Sequence, residues 1–101
     1  VAASLDTRVK AAAVMCPFLS DYAGVYQRGC VGTAYGEFDN YFRFYDPCHE
    51  TEDAFFETLG YIDIKNLAGR MRAKTLWFTG LSDTTCPPYS QFAVYNQIVS
   101  E

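Results

Sequence analysis

The sequence predicts an α/β fold built on parallel strands, and three observations point there. Two short apolar runs, VKAAAVMC (residues 9–16) and TLWFT (residues 75–79), lack the in–out alternation of a half-exposed strand. A proline stops the first run and a glycine the second. Between and beyond them lie segments whose apolar residues keep helical spacing, giving the order helix, strand, helical insert, helix, strand, helix. Two strands do not make such a sheet alone, so the 101 residues read as an interior slice of one larger α/β domain. Within it, residues 20–50 form a helical aromatic-rich insert, and residues 74–101 form a strand, a loop and a closing helix.

Residues 1–4 read as the tail of a helix, with Asp6-Thr7 turning the chain. The alanines of residues 11–13 favour helix, but the brevity of the run and its stop at Pro17 favour a strand buried on both faces. In GEFDNYFRFYDP, Phe38, Tyr41, Phe42 and Tyr45 recur at i, i+3, i+4 and i+7, one face of an amphipathic helix. Such a face serves as core or subunit contact more often than as a ligand wall. Thr51 is placed to cap a short helix that carries Glu52 and Asp53 in its first turn and stops at Gly60. Asp63 caps the next, where Ile64, Leu67, Ala68 and Met71 keep the spacing. Arg70, Arg72 and Lys74 follow as a basic run suited to a helix C-terminus. Pro88 opens the last helix, whose predicted apolar face is Phe92, Tyr95 and Val99.

Composition narrows the function classes. Half the residues are hydrophobic and 17% are aromatic, which excludes a disordered chain. The formal net charge is −4, and no basic cluster is available to neutralise phosphates, so nucleic acid is not an expected partner. No apolar stretch is long enough to span a bilayer, and a membrane is not expected either. The four cysteines, Cys16, Cys30, Cys48 and Cys86, include no close pair for zinc and read as reduced thiols. VAASLDTRVK does not read as a signal peptide, having only a short apolar portion and no basic region before it, and the expectation is a cytoplasmic protein.

The chemistry centres on GLSDTTCPPYSQFAVYN. Functional residues in parallel sheets gather beyond the carboxyl ends of strands, and Asp83 lies four residues past Thr79 on such a loop. A carboxylate there is suited to orienting a histidine, fixing its tautomer and stabilising the imidazolium. From position alone, an Asx-turn or a helix cap is the commoner account of it, since loops after strands are rich in aspartates. Ser20, His49 and Asp83 form a triad only on paper. Ser82 lacks the GxSxG context of a strained nucleophile elbow, and His49 sits in a polar turn among acids.

GLSDTTCPPYSQFAVYN resembles the segment GLxDxxxPPSTxFAAYN that carries the triad aspartate in the acetyl xylan esterase / cephalosporin C deacetylase family. LDTRVKAAAVMCPFLSD (residues 5–21) and YGEFDNYFRFYDPCHETEDAFFETLGYIDIKNLAGRMRAKTL (residues 35–76) are similar to the same family, in the same order. The resemblance implies an α/β-hydrolase that removes O-acetyl groups from xylan-derived sugars and from cephalosporin C by a Ser-His-Asp mechanism. It implies that Asp83 is the catalytic acid and that Phe18, in the PFL motif, is an aromatic near the substrate's acyl pocket. It places the serine and histidine outside these residues, and it calls for no metal or cofactor. The implied partners are a small acetylated sugar or antibiotic substrate and further copies of the chain in a homo-oligomer, completed by the rest of the enzyme. Thr7 replaces a usual proline, and Tyr89-Ser90-Gln91 replaces a common Ser-Thr-Val. Both departures are expected to touch only how a helix starts and how the surface packs. Two other functions fit the residues: a broader short-chain esterase or acyl peptidase of the same fold, and a non-catalytic oligomerisation module.

Overall fold

The computed structural model describes residues 1–29 and 33–100. A short helix α1 (Ala2–Leu5) leads into strand β1 (Ala11–Met15). Helices α2 (Tyr22–Gln27), α3 (Gly36–Tyr45), α4 (Glu52–Gly60) and α5 (Ile64–Leu67) follow before strand β2 (Lys74–Phe78), and helix α6 (Pro88–Tyr95) closes the series. The strands pair in parallel, in a register running from Ala11 beside Lys74 to Met15 beside Phe78. One more ladder bond, from the Cys16 amide to the Phe78 carbonyl at 2.9 Å, carries the pairing to the start of the next loop. The α/β expectation is met, with the strands where the apolar runs lie.

The expectation of strands buried on both faces is met on one face only. Ala12, Val14 and Trp77 point towards Ile64, Ala68, Met71 and Val94, with α1 closing the same space. On the other face Ala11, Ala13 and Met15 lie beside Lys74, Leu76 and Phe78 in the open. Leu76 is 59% and Phe78 46% exposed, because the helix residues gathered against the strands, Ile64, Ala68, Met71 and Val94, lie on the first face.

A second core is aromatic. Tyr22, Val25, Tyr35 and Phe38 are buried together, with Phe18, Tyr26, Phe55, Phe56, Leu59 and Tyr89 packed around them. Phe38 meets Tyr22, Phe55 and Phe56 edge-on at 5.7–5.9 Å, the geometry that ring quadrupoles favour. The insert therefore packs against α4, beyond residue 50. The predicted α3 face is right for Phe38, Tyr41 and Phe42. Tyr45 departs from it at 79% exposed, since it is the last residue of the helix and, among the described rings, meets only that of Tyr41.

Polar contacts join the insert to the sheet half. Asp63 caps α5 as predicted, accepting the Lys65 amide at 2.9 Å, and also accepts the amides of Asp21 and Tyr22 at 3.0 and 3.1 Å. Asp21 is buried and paired with the Lys65 ammonium. Its carboxylate folds back over the start of α2, so a Cβ on Gly24 would meet Asp21 Oδ2 at 2.2 Å. Only glycine leaves that space.

Three local expectations are corrected. Thr51 precedes α4, but its hydroxyl does not cap the helix and donates instead to Asp46 Oδ2 at 2.7 Å. The bonds from Thr51, side chain first and then backbone, hold the Asp46 carboxyl below the usual carboxylate range. Of the basic run, Arg70 ends a helical turn, whereas Lys74 begins β2. Helix α6 does not bury Phe92, Tyr95 and Val99. It buries Ser90, Gln91 and Val94, because the surfaces it meets are backbone carbonyls as well as side chains, and Val99 lies past its end.

The open sheet face gives the first prediction. Removing such apolar area from water is worth about 25 cal/mol per Å², so the 101 residues alone should self-associate. Sedimentation equilibrium should show mass rising with concentration. A monomer unchanged over a hundredfold dilution would show that the face needs no cover.

Candidate active site

Parallel pairing places the loops after β1 and β2 at one edge of the sheet. The first loop, residues 16–21, holds three non-glycine residues with positive φ: Cys16 at 42°, Leu19 at 55° and Asp21 at 51°. For a branched residue such as Leu19 this region is costly and persists only where surrounding contacts enforce it. Ser20, fully buried, supplies them. Its amide donates to the Tyr35 hydroxyl at 3.3 Å, that hydroxyl donates to the Ser20 carbonyl at 3.4 Å, and the Ser20 hydroxyl reaches the Ser90 carbonyl at 3.5 Å. Burial raises the Tyr35 hydroxyl's pKa, keeping it a protonated donor.

The second loop carries Asp83. Its amide bonds back to the Gly80 carbonyl at 3.2 Å, closing a tight turn after β2. Its Oδ1 accepts the amides of Thr85 and Cys86 at 2.9 and 2.8 Å. This is an Asx-turn, and it leaves Oδ2 with no hydrogen bond among the described residues. The two readings of Asp83 left open by its position are thus compatible: one oxygen fixes the loop, and the other is available to accept an imidazole N–H. Asp83 as a residue is half-buried.

Phe18 leaves the same edge on the first loop, where its ring meets Tyr35 edge-on at 5.3 Å. No ring contact or hydrogen bond joins it to Asp83 among the described residues. His49 is exposed, with Nδ1 2.7 Å from Glu52 and its ring stacked on Phe42 at 4.4 Å. Its partners all lie in the aromatic half, so the paper triad of Ser20, His49 and Asp83 does not assemble. Ser82 is exposed. Among the described residues no group of three His, Cys, Asp or Glu side chains converges as a metal site would.

Two residues of this site were misjudged in the sequence. Ser90 and Gln91 were expected to affect helix entry and surface packing only, yet both are 0% exposed, and Gln91 Nε2 donates to the Cys86 carbonyl at 2.5 Å. Spacing gave no signal for this, since the apolar periodicity pointed to Phe92, Tyr95 and Val99 as the inward face.

The sequence model described as Acetyl xylan esterase (AXE1) matches residues 1–101. The chain belongs to the acetyl xylan esterase family. It is similar to the solved structure of acetyl xylan esterase 1 from Thermoanaerobacterium sp. JW/SL YS485, with 46% identity and a TM-score of 0.94 over 98% of this chain and 31% of that one. The acetyl xylan esterase from Paenibacillus sp. R4 matches at 40% identity and a TM-score of 0.92, again over 98% of this chain and 31% of that one. Acetyl esterase Axe7A of Xylanibacter ruminicola (strain ATCC 19189 / DSM 19721 / CIP 105475 / JCM 8958 / 23) is 31% identical over 99% of this chain and 21% of its own length. The chain thus spans less than a third of the relatives it matches. The family places the parallel pair and its helices in an α/β-hydrolase-type fold.

The thiols beside Asp83 give the second prediction. Cys16, Cys48 and Cys86 are free, and Cys30 lies outside the described residues. Burial, then the Asp83 charge and Cys16, push the Cys86 thiol up. Iodoacetamide at mildly alkaline pH should therefore label exposed Cys48 first and Cys86 on the order of tenfold more slowly. Peptide mass spectrometry reads both rates. Equal labelling, or a Cys16–Cys86 disulfide, would contradict this environment.

Proposed function

We propose that these residues are the triad-acid segment of an enzyme that hydrolyses acetyl esters of xylan-derived sugars, with Asp83 as the acid. The observation that carries the reading is the half-engaged Asp83 carboxylate, with Oδ1 fixed by two amides and Oδ2 without a hydrogen bond among the described residues, at the carboxyl end of a parallel strand. Family membership supports it. The serine, the histidine and the oxyanion donors come from parts of the enzyme beyond this segment.

In this mechanism Asp83 Oδ2 accepts the histidine's Nδ1–H and holds the ring with Nε2 facing the serine hydroxyl. The serine oxygen attacks the acetyl carbonyl as its proton passes to Nε2, and Asp83 stabilises the imidazolium that results. Backbone donors hold the tetrahedral oxyanion. Collapse releases the sugar alcohol, which takes the proton from Nε2, and water repeats the sequence to free acetate. Phe18 contributes a ring to the wall facing the small acyl group. The same acyl chemistry extends to the acetyl ester of cephalosporin C, since the alcohol side lies outside the acyl pocket. The open sheet face is covered by the rest of the enzyme, which assembles as a homo-oligomer.

Replacing Asp83 with Asn in the complete enzyme keeps the turn acceptor but removes the charge. It should lower kcat roughly 10³–10⁴-fold on an acetylated xylo-oligosaccharide while the protein stays folded. Retention of more than about a tenth of wild-type kcat would contradict the assignment.

A further inference from the structure

We infer that Gln91 is a positioning residue for the Asp83 carboxylate, acting through the carbonyl of Cys86; the inference rests on the role proposed above for Asp83. Cys86 is tied on both sides of its Cα. Its amide donates to Asp83 Oδ1 at 2.8 Å, and its carbonyl accepts from Gln91 Nε2 at 2.5 Å. The next residue, Pro87, has a ring-locked φ of −58°, and its carbonyl accepts the amides of Ser90 and Gln91 and the Ser90 hydroxyl, at 3.0, 3.3 and 2.9 Å. The loop from Asp83 to Pro87 is therefore stitched to the first turn of α6, and Gln91 is the side chain that reaches back to the residue whose amide holds the acid. Without that donor the Cys86–Pro87 peptide plane loses a restraint, and the Cys86 Cα, which joins it to the plane carrying the amide, is held less firmly.

The orientation of the amide group argues that the donor matters. A carbonyl acceptor requires Nε2 to face Cys86, so Oε1 points away. Oε1 is buried and finds no partner among the described residues. An apolar side chain of the same length would fill the site without burying an unpartnered acceptor. Keeping an amide here retains one hydrogen bond at the expense of another, and the retained bond is the one on the Asp83 loop.

The test uses the complete enzyme in four forms: wild type, Gln91→Met, Asp83→Asn and the double variant. Gln91→Asn, which keeps the amide but falls a methylene short, serves as a second probe should the methionine variant fold poorly. A slightly displaced catalytic group costs one to two orders of magnitude, so Gln91→Met should lower kcat about tenfold with KM nearly unchanged. The acid limb of its kcat/KM profile should move to lower pH, because a loosened carboxylate supports the imidazolium less. In the Asp83→Asn background the same change should have little further effect, as expected for two residues acting in one unit. Amide hydrogen exchange at Thr85 and Cys86 should quicken in both Gln91 variants. Wild-type kcat and pH profile in Gln91→Met, or an equal loss of kcat in both backgrounds, would overturn the inference. Should Asp83→Asn itself keep its activity, the proposed role of Asp83 fails, and exchange then decides the Gln91 contact alone: an unaltered Cys86 amide rejects it.

Discussion

The parallel pairing of β1 with β2 is the constraint from which the rest follows. Because the strands run the same way, both exit at one edge, and the register of Met15 beside Phe78 sets Cys16 against the start of the Asp83 turn. A parallel pair also requires a crossover, and the long excursion from α2 to α5 fills it. The excursion could not simply be a loop. Its aromatic residues bury one another in a second core, which allows it to hold a fixed position relative to the strands.

Two polar junctions fix that position. Asp63 accepts three backbone amides, two of them from the turn that opens α2, and hydrogen bonds to a charged acceptor are worth about 1.5–3 kcal/mol each. At the other junction the Tyr35 hydroxyl, both backbone groups of Ser20 and the Ser90 carbonyl link the aromatic core to α6. Helix α6 in turn holds the Asp83 loop through Pro87 and Gln91. The strained residues Cys16, Leu19 and Asp21 lie on the loop that carries both junctions, where these contacts sustain them.

How much of this was legible follows from the kind of signal involved. Both strands were readable, since each is a short apolar run with a breaker behind it, and so was Asp63, a capping residue before a periodic stretch. Pro88 marked the start of α6, but periodicity gave the wrong inward face, because the side chains buried there are a serine and a glutamine. Their burial depends on carbonyls of Cys86 and Pro87 and on the Ser20 loop, partners that hydrophobic spacing does not register. Thr51 misled for the same reason, its hydroxyl being taken by Asp46. Asp83 was visible as a residue, and of its two alternatives the turn is seen in the bonds of Oδ1, while the role of the acid rests on the proposal. No sequence pattern states that one carboxylate oxygen is used by the turn and the other is spare.

That division of the Asp83 carboxylate is the central claim, and proton NMR of the complete enzyme tests it most directly. An imidazole N–H donated to a partly buried carboxylate gives a resonance far downfield of ordinary amides. The account predicts such a signal in the wild type and its loss in Asp83→Asn, with the rest of the spectrum retained. A downfield imidazole proton that persists unchanged in Asp83→Asn would show that another group holds the histidine, and that Asp83 serves the turn alone.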